Sequence, residues 1–389
     1  MNYLNLESLR ALHLEMTSGC NAQCPMCSRN IFGGAPNPKL PKGEVSIDTI
    51  KSSFSKELLK QFHHVMFCGV YGDPIVAKDS FEAVAYFKES GVEQIWFHTN
   101  GSARPASWWK KIAPYFQGEE DQMVFSVDGL EDTNHLYRKG THWPTIWRNM
   151  QAFTEAGGNA RWDFLVFKHN EHQVKEAQRL AKEIGIRKFR VRKTSRFKRD
   201  SQTGETLPHY VADSLSNDVV MDVMEHGNKI LKNQYAYTIE APSIEEYQNK
   251  DLMENLPKIE ESYGSFENYL DHAEIQCIYK EKFQRLYVDF ESKLWPCCFL
   301  PGDIYSPHNK HQYRQDFHEK FLGKVDPNFN SLLHHTLKDI LAHPWFSETL
   351  VDSWSRSLND KKNPKLLKCA RTCGHLYNPI LSQTQDIRI

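Results

Sequence analysis

The 389-residue chain is 40% hydrophobic and 25% charged, ordinary globular usage that excludes a disordered or collagen-like chain. Forty-eight Lys and Arg against 49 Asp and Glu leave a net charge of −1, which argues against a chain-wide attraction to nucleic acid or acidic lipid. No apolar run approaches a membrane span, and the opening MNYLNLESLRAL lacks a basic segment followed by an apolar one, so the chain reads as soluble and cytoplasmic.

From residue 11 to about 193, short apolar runs alternate with longer amphipathic ones. The runs predict strands at 11–16, 64–70, 93–98, 122–127, 161–167 and 188–193. Helices are expected near 47–60, 77–90, 105–116, 143–157 and 171–185, with Gly91, Gly157 and Gly185 at helix ends. Six strands separated by five helices make successive βα units, hence a parallel sheet with right-handed crossovers. Chemistry in such a sheet sits at the carboxyl ends of the strands.

Nine cysteines are clumped at 20, 24, 27, 68, 277, 297, 298, 369 and 373. Their odd number, the absence of an export signal and a chain long enough to build a core all argue against disulfides. Clumped cysteines in such a chain point instead to zinc or iron–sulfur. Cys20, Cys24 and Cys27 follow the first strand, in SGCNAQCPMCSRN. Three thiolates leave a fourth position unfilled, and the nearest downstream histidines, His63 and His64, are too distant for a compact zinc knuckle. An open fourth position suits a [4Fe–4S] cluster whose last iron binds something else.

Other strand ends carry Gly69-Val-Tyr-Gly-Asp-Pro74, Thr99-Asn-Gly101, Ser126-Val-Asp-Gly129 with Tyr137-Arg-Lys-Gly140, and Lys168-His-Asn-Glu171. Each alone is ordinary turn chemistry. Together they ring one mouth with polar groups. On these residues the chain resembles the radical S-adenosylmethionine (radical SAM) enzymes: CNAQCPMC matches their CxxxCxxC, 69–74 their glycine-rich "GGE" position, and 126–140 their SxDG…YR segment. Asp73 replaces the glutamate of that segment, Tyr71 its first residue, and Met26 an aromatic.

The resemblance covers roughly residues 10–193 and implies a partial (β/α)6 barrel, a partial TIM barrel. It implies that Cys20, Cys24 and Cys27 hold a [4Fe–4S] cluster whose open iron takes the amino and carboxylate groups of SAM. It also assigns the backbone of Tyr71, Gly72 and Asp73 to the methionine amino group, Ser126 and Arg138 to its carboxylate, and Asn170 to the nucleoside end. A flavodoxin or ferredoxin is the implied electron donor.

Residues 277–298, CIYKEKFQRLYVDFESKLWPCC, read as strand–turn–strand, and KCARTCG holds Cys369 and Cys373. This is similar to the SPASM/twitch modules of many radical SAM enzymes, with Ser292 where those carry glycine. Only five cysteines follow residue 270, fewer than a two-cluster module needs. The resemblance therefore implies the shorter twitch-like form, with one auxiliary [4Fe–4S] cluster on Cys277, Cys297, Cys369 and Cys373. Cys298 is the spare, able to exchange with Cys297; four thiolates around structural zinc are the other reading. A helical stretch at 330–358 is expected to pack over this site. Cys68, in an apolar strand, is expected to be a core thiol, and His98 a satisfied structural histidine.

The expected architecture is thus α/β: a radical SAM barrel (1–199), a linker or insertion (200–270) and a smaller α+β twitch/SPASM-like unit (271–389). The stretch 187–199 holds eight Lys and Arg. It reads equally as a contact for phosphate, nucleotide or RNA, or as a half-buried strand exit that helps to bind SAM. Only about ten residues precede the first strand, which weakens a peptide substrate without excluding it. The function expected is hydrogen abstraction from an unactivated C–H of a peptide or small molecule, giving oxidation, epimerisation or rearrangement. The alternative is a zinc-stabilised nucleic-acid-binding protein without redox chemistry.

Overall fold

The structure, a computed structural model, describes residues 3–194, 196–200, 203, 205–226, 234–249, 255–305, 317–378 and 387–388. Parts of the expected 200–270 linker, Ser195 of the basic run, and 306–316, 379–386 and 389 of the expected C-terminal unit lie outside them. Among the described residues no helix is long and apolar enough to cross a membrane.

The six expected strands form within a residue or three of their expected limits. They are β1 (Ala11–Leu14), β2 (His64–Phe67), β3 (Gln94–Thr99), β4 (Gln122–Ser126), β5 (Ala160–Leu165) and β6 (Lys188–Arg192). Each pairs in parallel with the next. The principal crossover helices are α1 (Ile47–Ser53), α2 (Lys56–Leu59), α3 (Ser80–Glu89), α4 (Ala106–Ile112), α5 (Trp143–Glu155) and α6 (Val174–Glu183). Ser46 and Ser55 start α1 and α2 by accepting from the N–H groups of Thr49 and Leu58. Gly91, Gly157 and Gly185 follow α3, α5 and α6 at positive φ, where only glycine sits without cost.

Strand periodicity sorts the side chains into two layers. Leu12, Leu14, Val65, Phe67, Phe97, Phe125 and Trp162 are fully buried and share one core with Phe87, Trp109 and Phe153 of the helices. The opposite face lines the barrel interior and is polar, with His13, Glu15, His98, Arg161 and Asp163. A buried polar layer costs stability unless its groups are paired, and Arg161 accordingly holds Asp163 at 2.7 Å.

The sheet does not stop at six strands. Arg285–Val288 (β9) adds a seventh parallel strand against β1, register Ala11 to Arg285. Leu294–Trp295 (β10) folds back antiparallel on it, and Ile387–Arg388 (β11) caps β6 antiparallel. His209–Val211 (β7) and Tyr237–Ile239 (β8) form a separate antiparallel pair. The expected strand–turn–strand of 277–298 is therefore present, but it extends the barrel sheet and covers the β1 edge that would otherwise be open. Its turn holds Ser292 at φ 59°, the left-handed region that glycine occupies freely. The helical stretch expected at 330–358 forms in two parts, Leu337–Ala342 and contiguous short helical pieces from Trp345 to Ser355. Pro344 cannot extend the preceding helix.

Candidate functional site

At the carboxyl ends of the strands lies a cavity of about 390 Å3, walled by Cys20, Cys24 and Cys27 together with Tyr71, Gly72, Asp73, Ser126 and Arg138. The sequence-predicted residues from three separate strand ends thus meet around one space. The loop that carries the thiols turns tightly, with the Cys27 N–H donating to the Cys24 carbonyl at 3.0 Å and the Ala22 N–H to the Cys20 sulfur at 3.3 Å. Arg29 clamps it by donating to the carbonyls of Cys20 and Ala22. Burial pushes the Cys20 thiol up to about 12 and that of Cys24 up to about 11. Thiolates there need a compensating positive charge, which a metal centre supplies. Among the described residues no three such side chains draw together around a single metal-ion position; the thiols are spread along the cavity wall.

The 69–73 segment faces them. Its position is fixed by Glu15, fully buried just past the end of β1, whose carboxylate accepts from the N–H groups of Tyr71 (2.7 Å) and Gly72 (3.0 Å) and from the Tyr287 hydroxyl on β9. Burial pushes the Glu15 carboxyl up to about 7. The Asp73 N–H donates to the Gly19 carbonyl at 2.8 Å, and the Asp73 carboxylate accepts from the N–H groups of Asn100 and Ile75. Glycine is obligatory here for a steric reason: a Cβ on Gly72 would stand 1.8 Å from the Thr17 carbonyl oxygen, and one on Gly69 would stand 1.9 Å from that of Gly72.

Arg138 enters the cavity wall from the far side, its Nε donating to Asp128 at 2.5 Å and Nη1 lying 4.0 Å from the Cys24 sulfur. Burial pushes the Asp128 carboxyl up, and the adjoining guanidinium pulls it back. Ser126 ends β4 beside them. Asn170 does not join this group. It is wholly buried, its amide donating to the carbonyls of Asp128 and Leu165 and accepting from the Phe167 N–H at 2.7 Å. Its part is to hold the β5 exit against the Asp128 loop.

Several residues in the wall had no role assigned from sequence. Asn100 donates to Asn21 and reaches the Cys20 sulfur at 3.7 Å. Asp163, Arg192, Lys193, Thr194 and Arg196 also line the space, so part of the basic run turns toward the cavity. Cys68 lies just past β2 and lines it too, where an apolar-core thiol was expected; the strand ends one residue earlier and Cys68 falls on the interior face. His98 faces the same interior, its Nε2 buried without a hydrogen-bond partner, and burial holds its imidazole well below its ordinary range. Glu15 could have been found as a lone acid in an otherwise apolar strand.

Residues 14–181 match the sequence family described as the radical SAM superfamily. That stretch is a radical SAM domain. Among solved structures, the chain resembles SuiB of Streptococcus suis bound to S-adenosylmethionine, at TM-score 0.51 and 14% identity over 94% of this chain and 73% of that one. The structure of SuiB bound to its precursor peptide SuiA matches at TM-score 0.50 and 14% identity, over 94% and 72%. At such identities the likeness is one of fold.

Outside the radical SAM domain, Cys277, Cys297, Cys369 and Cys373 line one small space with Tyr3, Phe299 and Trp354. Cys298 is not among its walls. Its thiol instead feels Arg285, Cys68 and Glu15, and burial pushes it up to about 12. The Cys277 and Cys373 thiols interact directly, which lowers the first and raises the second. Tyr3, far away in sequence, closes the site with its hydroxyl 3.5 Å from the Cys277 sulfur and 3.1 Å from the Pro296 carbonyl. The space measures about 20 Å3 as the side chains stand, so a four-iron cluster requires the thiols to swing outward.

Proposed function

We propose that this chain is a radical SAM enzyme, with a [4Fe–4S] cluster on Cys20, Cys24 and Cys27 and SAM in the adjoining cavity. The observation that carries the reading is the convergence of the three thiols, the glycine-rich 69–73 segment and Arg138 on one cavity in a radical SAM domain. The bound, reduced cluster would supply the electron that splits SAM and yields a 5′-deoxyadenosyl radical able to take hydrogen from an unactivated C–H.

The chain's own residues support binding and orientation. The N–H groups of Tyr71, Gly72 and Asp73 are spent on Glu15 and Gly19, which fixes the segment, and an ammonium, itself a donor, would meet it through oxygen acceptors. Ser126 and Arg138 offer a hydroxyl and a guanidinium for a carboxylate, although Asp128 holds one edge of that guanidinium. Asn100 tunes the Cys20 sulfur by a weak N–H contact. The polar barrel floor around Asp163, Arg192 and His98 is left for the substrate, a peptide or a small molecule.

At Cys277, Cys297, Cys369 and Cys373 we propose one auxiliary [4Fe–4S] cluster that relays an electron or supports the fold. The small space between these thiols favours a second reading for this site alone, a single structural zinc. Anaerobic purification separates the two: about eight iron and eight sulfide per chain mean two clusters, about four with one zinc the second reading. Reductive formation of 5′-deoxyadenosine with dithionite, lost in Cys24→Ala, tests the enzyme reading; a colourless protein holding zinc at both sites overturns it.

A further inference from the structure

A second cavity, of about 600 Å3, adjoins the first, and Thr194 belongs to the walls of both. One wall is made by Phe197, Arg199, Thr206 and Pro208, held by the Arg199–Thr206 bridge and the Leu207 N–H donating to the Lys198 carbonyl at 2.8 Å. The other is 240–249, tied to the β5 exit: Lys168 pairs with Glu240 at 2.5 Å, and the Glu171 carboxylate accepts from the N–H groups of Ser243 and Ile244. Tyr377 closes one side. The groove is thus a built feature, anchored to the radical SAM domain through Lys168 and Glu171 at one wall and through Phe197, edge-on to Phe167 at 6.1 Å, at the other.

Its polar groups are mostly satisfied, and the exception is Asn249. Both the oxygen and the nitrogen of its side-chain amide are buried without a partner among the described residues, an arrangement that costs free energy for each unpaired atom. A primary amide presents one acceptor beside donors, which is the complement of a peptide group with its N–H and C=O. The rim carries an apolar side chain: Leu207, 40% exposed, stands between the groove residues Thr206 and Pro208. Arg199 is the single basic residue among the lining residues, with Glu240 opposing it, which is poor chemistry for a phosphorylated small molecule.

We propose that this groove binds an extended peptide, whose main chain pairs with Asn249 and whose neighbouring side chain passes Thr194 into the first cavity. The proposal rests on the radical SAM reading and specifies its substrate class. The test is selection of a random twelve-residue displayed peptide library on the anaerobic, SAM-loaded full chain, followed by affinity measurement and hydrogen exchange with the most enriched synthetic peptide. Asn249→Ala should weaken that peptide about tenfold, the loss of two hydrogen bonds, and Leu207→Asp should weaken it as well. Protection on binding should fall in 197–208 and 240–249. No enrichment, affinities unchanged in both variants, or protection elsewhere overturns the groove. Peptide-free 5′-deoxyadenosine formation by the same wild-type preparation is read in parallel. Peptide bound at the groove without it upholds the groove and overturns the enzyme reading; the reverse overturns the groove alone.

Discussion

Replacing Glu15 by Gln removes a titration from the interior of the barrel. The Glu15 carboxyl is buried just past β1 under three donors, and burial lifts it from its ordinary 4.5 to about 7. Between these values the folded chain holds a proton that the unfolded chain releases, so stability falls as pH rises. The contribution is fully present below 4.5 and is lost once pH has passed about 7. The rise from 4.5 to about 7 corresponds to about 3 kcal/mol. Gln keeps an acceptor for the two N–H groups and does not ionise, so the difference between the two proteins isolates this one group. Relative to wild type, Glu15→Gln should gain about 3 kcal/mol between pH 4.5 and pH 8, read as a shift of a few degrees in melting temperature. Glu15→Ala strands three donors and should instead be destabilised at every pH, by about 1–3 kcal/mol for each. A wild-type-minus-Gln difference that stays flat from pH 4.5 to 8 would refute the reasoning, because Glu15 would then be ionised throughout.

Gly72→Ala forces a Cβ to within 1.8 Å of the Thr17 carbonyl; SAM affinity measured by equilibrium dialysis should fall at least about tenfold, with the iron content on Cys20, Cys24 and Cys27 retained. Asn100→Ala removes the contact to the Cys20 sulfur and should make the potential of that cluster more negative in an EPR-monitored titration. Arg138→Ala leaves Asp128 buried without its partner and should cost about 3–5 kcal/mol in denaturant unfolding, while Arg138→Lys should lose less. Cys297→Ala should lose the metal of the C-terminal site and Cys298→Ala should keep it, by metal analysis per chain.

The six strands, the principal crossover helices and the thiol loop were legible because each rests on local order: period-two apolar runs, helical spacing and glycine stops. The motifs that line the cavity were legible too, since the carboxyl ends of parallel strands share one edge. Asn170 looked like a site residue for the same reason, and only its three buried hydrogen bonds show it as a brace. Whether a strand-end polar group faces the cavity or the scaffold turns on one rotamer, which spacing does not encode.

The sequence by itself determined the parallel βα order and the three-thiol loop, and it left Cys297 and Cys298 interchangeable. Only the tertiary structure decided that β9 joins the barrel sheet, that Glu15 holds the 69–73 segment, that Tyr3 closes the C-terminal cysteines, and that Cys68 faces the cavity. The physical reason is that each of these depends on a contact between residues about 55 to more than 270 positions apart, and periodicity reports only the nearest turns of the chain.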